Sequence, residues 1–362
     1  MHMRLLIATG LYPPEIGGPA TYAKLFENEL PRQGITVEVL PFSRVKHLPP
    51  LIRHGAYFIH VVRRARSQDV IVVQDTVSTG LPTILAARIV RVPCVVRVPG
   101  DYAWEQGVQR FGVRDSLDEF QLKRYGARVS LLRMIQRYVV CSASHVIAPS
   151  AYLGRMVALW GVPPHRLSVI YNGVQQGEAG EEKRDTAHVL AVGRLVPWKG
   201  FKELIDVVSR HPDWRLTVVG AGPDREALEE FARAARTEGR IFFKGEMVND
   251  EVRALMRQAT VFVLNSRYEG LSHTLIEACA EGMPIITTNI GGNPEVIEDG
   301  ETGFLIEPGD TEALEERLTS VIGSAELRAA FSTRARERAR RFFIDTTIRE
   351  SAALFKKICA SS

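Results

Sequence analysis

Two kinds of apolar pattern alternate along this chain. Short continuous apolar runs end in glycine or polar loops, and the segments between them place apolar residues three to four positions apart. The first kind reads as parallel strands buried on both faces, the second as helices. In the first half the runs are RLLIAT (4–9), TVEVLPF (36–42), DVIVV (69–73), PCVVRV (93–98), HVIAP (145–149) and LSVIYN (167–172). Between them the pattern predicts a helix over PATYAKLFENELPRQG, which has proline near its start and glycine at its end. Further helices are predicted near 80–90, over long stretches to about 140, and at 151–160.

Residues 173–186, GVQQGEAGEEKRDT, are almost without apolar residues and read as a linker. The alternation then restarts with HVLAVGR (188–194), WRLTVVG (214–220), RIFFKG (240–245), TVFVLN (260–265), MPIITT (283–288) and TGFLIEP (302–308). Helices are predicted between these runs and over 311–322, 325–342 and 345–359. The expected architecture is α/β, with two doubly wound, Rossmann-like domains facing across a cleft. Their limits are 1–172 and 187–342, followed by a C-terminal helical segment, 343–362.

Composition agrees with a globular protein of two domains: 362 residues, 45% hydrophobic and 24% charged. No run has the length and apolarity of a membrane span or of a signal peptide. Cys94, Cys141, Cys279 and Cys359 lack zinc-type spacing and are expected as buried free thiols in a reducing cytoplasm. Charge changes the picture more. Residues 1–172 hold 21 Lys and Arg against 11 Asp and Glu, whereas 173–362 hold 25 against 31. The first half is therefore at +10 and the second at −6. A basic N-terminal half suits an anionic partner, and the segment 51–68, rich in arginine, is either a core-facing helix with a solvated basic face or a membrane-surface helix. No motif supports nucleic-acid binding, and the scattered histidines and lone acids predict no metal site.

The stretch YEGLSHTLIEACAEGMPIITT (268–288) carries the most chemistry. A strand ends near Asn265, a loop with Gly270 follows, and a helix is predicted from Ser272 or His273. Free N–H groups and the helix dipole at such a start suit a phosphate. Ile276, Cys279, Ala280 and Met283 would face the core, leaving Glu277 on one face with His273 and Thr274. Glu269 then precedes the anion site and Glu277 lies one turn inside the helix. Ionised carboxylates are pure acceptors for sugar or ribose hydroxyls. Downstream, NIGGNPEVI (289–297) repeats the loop-then-helix arrangement after the next strand. In VGRLVPWKGFKELI (192–205), Arg194 and Lys199 flank another strand-end loop and could neutralise a diphosphate. Gly17 and Gly18 precede the first helix, as a ligand-approaching loop or a plain turn. The chain has neither a G-x-G-x-x-G fingerprint nor a Walker motif. VPGDYAWEQ (98–106) places Asp101, Trp104 and Glu105 after a strand.

Taken together, E-G-L-S-H-T-L-I-E, A-C-A-E-G-M-P-I-I-T-T, G-G-N-P-E-V-I-E-D-G-E-T-G-F-L, V-G-R-L-V-P-W-K-G and P-S-A-Y-L with V-I-Y-N-G-V resemble glycosyltransferase family 4. The likeness runs from IATGLYPPEIGGPATY to about Gly309. It implies the GT-B fold, with the C-terminal helix crossing back to the first domain. It also implies a retaining transfer from a nucleotide diphosphate-sugar to an acceptor hydroxyl, with no cofactor and no metal. Arg194 and Lys199 would hold the diphosphate and Glu269 the sugar hydroxyls. Gly270, Leu271 and Ser272 would cradle the distal phosphate, Glu277 would take the ribose, and Gly17 and Gly18 would meet the phosphates from the other domain.

One position departs from the family pattern. Pro99 stands where many members have a histidine, and Asp101 is the nearest polar substitute. The acceptor is expected to be a sugar, glycan or lipid-linked molecule bound by the basic domain. The protein is expected in the cytoplasm, with peripheral contact at an anionic inner membrane face. A nucleotide-sugar epimerase or hydrolase of the same fold, or a non-catalytic sugar-nucleotide binder, are the alternative readings.

Overall fold

The computed structural model describes residues 3–15, 17–177, 187–237 and 239–360. They divide into two compact units, Met1–Gly173 with Asp345–Ser362, and Val174–Ile344.

The first unit runs β1 (Met3–Thr9), α1 (Gly18–Glu29), β2 (Ile35–Pro41), α2 (Pro50–Ala65), β3 (Val70–Val73), α3 (Gly80–Val90) and β4 (Cys94–Arg97). It continues through α4 (Tyr102–Arg110), α5 (Leu117–Leu122), α6 (Ala127–Ser142), β5 (His145–Ala148), α7 (Ala151–Leu159) and β6 (Leu167–Val169). The six strands form one parallel sheet in the order β2-β1-β3-β4-β5-β6. VIVV and CVVR are wholly buried, as strands covered on both faces must be. The long helical stretch predicted up to about 140 is three helices. Gly112, at φ 70°, ends the first part, and a capping box between Ser116 and Glu119 starts α5.

The second unit runs β7 (His188–Val192), α8 (Phe201–Ser209), β8 (Arg215–Val219), α9 (Arg225–Ala234), β9 (Ile241–Gly245), α10 (Asn249–Gln258) and β10 (Val261–Leu264). It continues with α11 (His273–Ala280), β11 (Ile285–Thr288), α12 (Asn293–Val296), β12 (Phe304–Ile306), α13 (Thr311–Gly323) and α14 (Ala325–Ala339). Its parallel sheet has the order β12-β11-β10-β7-β8-β9. The order therefore reverses between β7 and β10, and in doubly wound sheets ligands bind outside the carboxyl ends of the strands at such a switch point.

The last helix, α15 (Ile344–Ala360), packs with the first unit. Phe355 meets Phe26 edge to face at 5.9 Å, and the Thr347 hydroxyl donates to the Tyr171 carbonyl at 2.9 Å. Most of the linker predicted at 173–186 lies outside the described residues. Its described part is not loose. Val174 bridges Phe343, and Arg253 of α10 donates to the Gln175 side chain at 3.0 Å and to the Gln176 carbonyl at 2.8 Å. Cys94 and Cys279 are buried thiols, pushed up to about 12 by burial, whereas Cys141 and Cys359 are only half-buried. Among the described residues no helix is long and apolar enough to cross a membrane.

Candidate functional site

Three loops at the carboxyl ends of β7, β10 and β11 interlock within the second unit. The Asn265 amide donates to the Gly200 carbonyl at 3.1 Å, and the Arg267 N–H to the Trp198 carbonyl at 2.7 Å. The Thr288 hydroxyl reaches the Ser266 carbonyl at 2.6 Å, and the Gly292 N–H reaches the Glu269 carbonyl at 3.2 Å. Gly291 makes this closeness possible. It sits at φ 54°, and a Cβ there would lie 1.8 Å from the Glu269 carbonyl oxygen.

The loops bring Lys199 and Glu269 together as an ion pair, with side chains 17% and 10% exposed. Glu269 Oε1 accepts from the Lys199 ammonium and from the Ser266 hydroxyl, the latter at 2.7 Å. Oε2 takes no hydrogen bond among the described residues. One oxygen thus fixes the carboxylate and the other stays open. Arg194, at the start of the same loop after β7, is exposed and has no hydrogen bond or ion pair among the described residues.

Helix α11 begins beside this pair. Ser272 is its N-cap, and the Ser272 hydroxyl accepts from the Leu275 N–H at 3.3 Å. The N–H groups of Leu271 and Ser272 donate to nothing among the described residues. The predicted apolar stripe of α11 is too narrow. Leu275 and Ala278 are buried along with Ile276, Cys279 and Ala280, because the helix lies between its own sheet and α14. The strip left less buried is His273, Thr274 and Glu277. Glu277 Oε1 accepts from the Asn249 amide at 2.9 Å. Burial raises its carboxyl above the ordinary range, the Asn249 bond and the Arg253 charge lower it, and Glu281 raises it again.

Sequence reasoning missed the groups that hold these residues. Ser266 is near enough in sequence to have been found, three residues before Glu269. Asn249 is not, and neither is Arg253, which donates from Nε to the fully buried Glu281 at 2.6 Å. Those contacts join α10 to α11 across 28 residues of chain.

In the first unit, Gly17 caps α1 and Gly18 is its first residue. A Cβ at Gly18 would meet nothing within 4 Å, so packing does not require glycine there. Asp101, expected near the sugar, is 1% exposed and spends both oxygens on the protein. Oδ1 accepts from the Trp104 N–H at 3.0 Å and the Gln136 amide at 3.1 Å, and Oδ2 accepts from the Gln121 amide at 2.9 Å. It is the N-cap of α4, with a carboxyl raised by burial. Glu105, one turn on, is half-buried, and its carboxyl makes no hydrogen bond among the described residues. Burial, then the Asp101 charge, push its carboxyl up to about 7.

Two doubly wound units, each built on a six-stranded parallel sheet, are the architecture of the GT-B fold. Comparison places it more narrowly. Residues 3–173 match the family "Glycosyl transferase 4-like domain", and residues 176–338 match "Glycosyl transferases group 1". The chain belongs to family 4 of the glycosyltransferases. It is 28% identical to the alpha-maltose-1-phosphate synthase of Mycolicibacterium smegmatis, over 92% of each chain. Other curated relatives match over 44% and 55% of their own length, about half. Among solved structures, the sucrose-phosphate synthase of Thermosynechococcus elongatus superposes with a TM-score of 0.82 at 18% identity, covering 99% of this chain and 100% of that one. HepE of Anabaena, in complex with UDP, gives 0.77 at 21% identity, covering 98% and 100%.

Proposed function

We propose that this protein transfers a sugar from a nucleoside diphosphate sugar to an acceptor hydroxyl, with retention at the anomeric carbon. The observation that carries the reading is the half-satisfied Glu269 carboxylate beside the free N–H groups of Leu271 and Ser272. A sugar hydroxyl donates to Oε2, while the distal phosphate sits on those N–H groups and the α11 dipole. Lys199 and Arg194 neutralise the leaving diphosphate, and the protein needs no metal ion for that step. Glu277 accepts the ribose hydroxyls. Gly17 and Gly18 keep the phosphate role expected of them, which the open space at Gly18 permits.

In the transfer step the acceptor oxygen bonds to the anomeric carbon as the bond to the phosphate oxygen breaks. That departing oxygen takes the acceptor proton on the same face, and no protein base is required. Asp101 positions α4 rather than accepting that proton, because both its oxygens are engaged. The acceptor is a sugar, a glycan or a lipid-linked molecule.

The test is a panel of sugar nucleotides scored by thermal shift, UDP-glucose included, followed by product analysis with and without acceptor. A donor stabilises the fold in proportion to its binding. Transfer with retained configuration is the expected outcome. A new sugar nucleotide or free sugar formed from donor alone would instead mark an epimerase or hydrolase.

A further inference from the structure

Three neighbouring helices of the first unit carry no acidic residue. α2, α3 and α6 contain seven arginines and neither aspartate nor glutamate, and α2 lies against α3 as α3 lies against α6. Each turns an apolar stripe to solvent. On α2 it is Ile52, 60% exposed, with Ile59 and Arg63 in line behind it. On α3 it is Leu85, Arg88 and Ile89, and on α6 it is Leu131, Met134 and Tyr138. Arg88 ties two stripes together, donating to the Tyr138 hydroxyl at 2.8 Å and to the Ser142 hydroxyl at 3.1 Å. Arg128 extends the patch, lying 6.0 Å over the Phe111 ring.

The concentration is local. Of thirteen large hydrophobic side chains exposed among the described residues, seven stand on these three helices and two, Phe242 and Val248, belong to the second unit. Some of the arginines are committed elsewhere. Arg64 pairs with Glu38 at 2.9 Å, and Arg133 donates to the carbonyls of Gln121 and Lys123. Arg63 and Arg137 are exposed and have no carboxylate partner among the described residues. His60, on α2, is held below its ordinary range by burial and by Arg64, Arg44 and Arg63.

We propose that α2, α3 and α6 form a docking surface for an anionic lipid bilayer. Exposed isoleucine, leucine and methionine partition into the headgroup boundary, while arginine stems lie along them and the guanidinium groups reach lipid phosphates. The charge pattern selects this occupant. A second copy of the same face would set arginine against arginine, and a nucleic acid has no use for the aliphatic stripes. The surface stands apart from the transfer chemistry, since none of its side chains is assigned to the donor.

The full chain is sedimented with phosphatidylcholine vesicles, with and without phosphatidylglycerol, at low and at physiological salt. Binding is expected only with phosphatidylglycerol and weakens as salt screens it. Replacing both Arg63→Gln and Arg137→Gln is expected to lower vesicle affinity roughly 25-fold, about fivefold for each charge. A triple variant Ile59→Ser, Ile89→Ser, Met134→Ser also weakens it, and UDP binding in both variants reports an intact fold. The proposal is overturned by absent pelleting, by equal pelleting with neutral vesicles, or by variants that bind as the parent does. Heparin binding untouched by the triple variant, without vesicle binding, would assign the face to a soluble polyanion. A dimer abolished by the triple variant, without vesicle binding, would assign it to a second copy.

Discussion

Lys199 and Glu269 form a largely buried ion pair that joins the loop after β7 to the loop after β10, 70 residues later in the chain. The pair spans the point where the strand order reverses, so one contact both ties the two loops together and holds the carboxylate by one oxygen. Removing one partner separates the two effects. Lys199→Met leaves a largely buried carboxylate with Ser266 as its remaining donor. Breaking a buried pair costs about 3–5 kcal/mol, and the partial exposure here brings the expected loss to about 2 kcal/mol. The urea midpoint measures it. Adding Glu269→Gln should restore most of the stability, because the uncompensated charge is gone, while donor affinity stays low. A double variant no more stable than Lys199→Met would mean that the loss is one of packing.

Glu277 gives a pH dependence with a definite sign. In the proposed role only its ionised form would accept two ribose hydroxyls, and burial raises its carboxyl above the ordinary range. Nucleotide affinity therefore falls on acidification, starting at a higher pH than for an ordinary carboxylate near ~4.3. Glu277→Gln should bind more weakly at neutral pH and lose that acid limb, as read by calorimetric titration at several pH values. The stability effect has the opposite sign. A raised carboxyl favours the fold below its unfolded value and loses that contribution as pH rises through the folded value. An acid limb that persists unchanged in Glu277→Gln assigns it to another group.

Glu105 makes a stability prediction of the same kind in the first unit. Its carboxyl, pushed up to about 7 by burial and by Asp101, is neutral in the fold below that pH and charged above it. Stability from this group is complete below the unfolded value of ~4.3 and is lost as pH rises through about 7. Glu105→Gln should match the parent at pH ~4 and exceed it at pH ~8 by about 1–3 kcal/mol. Chemical denaturation at both ends checks this. Equal stability at the alkaline end would show that the carboxylate is solvated.

The strands and the loops at their carboxyl ends were legible because their signals are local. Twelve apolar runs predict twelve strands, and a glycine loop before a helical pattern predicts the start of α11 at Ser272. Glu277 was legible too, since helical spacing alone puts it beside His273 and Thr274. What escaped depends on contacts between distant segments. Nothing near Asn249 or Arg253 announces that α10 folds against α11 to hold Glu277 and Glu281. The same holds for Asp101. Its sequence position suggests a free carboxylate, but Gln121 and Gln136, twenty and thirty-five residues on, use up its oxygens. The tight grip on 174–177 was hidden because polar composition looks like a loose linker until Arg253 and Ala280 are in place.

Arg194 provides the contrast to Lys199. It is exposed and unpaired among the described residues, so the folded protein gains nothing measurable from its charge. Arg194→Ala should leave the urea midpoint within about 0.5 kcal/mol of the parent. A charge-assisted contact to a diphosphate is worth about 1.5–3 kcal/mol, so nucleoside diphosphate affinity should fall at least roughly tenfold. The salt dependence of binding should also flatten by about one charge. Arg194→Lys should recover only part, because an ammonium cannot bridge two phosphate oxygens in the plane of a guanidinium. Calorimetric titration with UDP and with uridine separates the phosphate contribution from the nucleoside, and the loss must appear with UDP alone. A substitution that weakens uridine and UDP equally removes Arg194 from the diphosphate, leaving Lys199 and the α11 N-terminus to hold it.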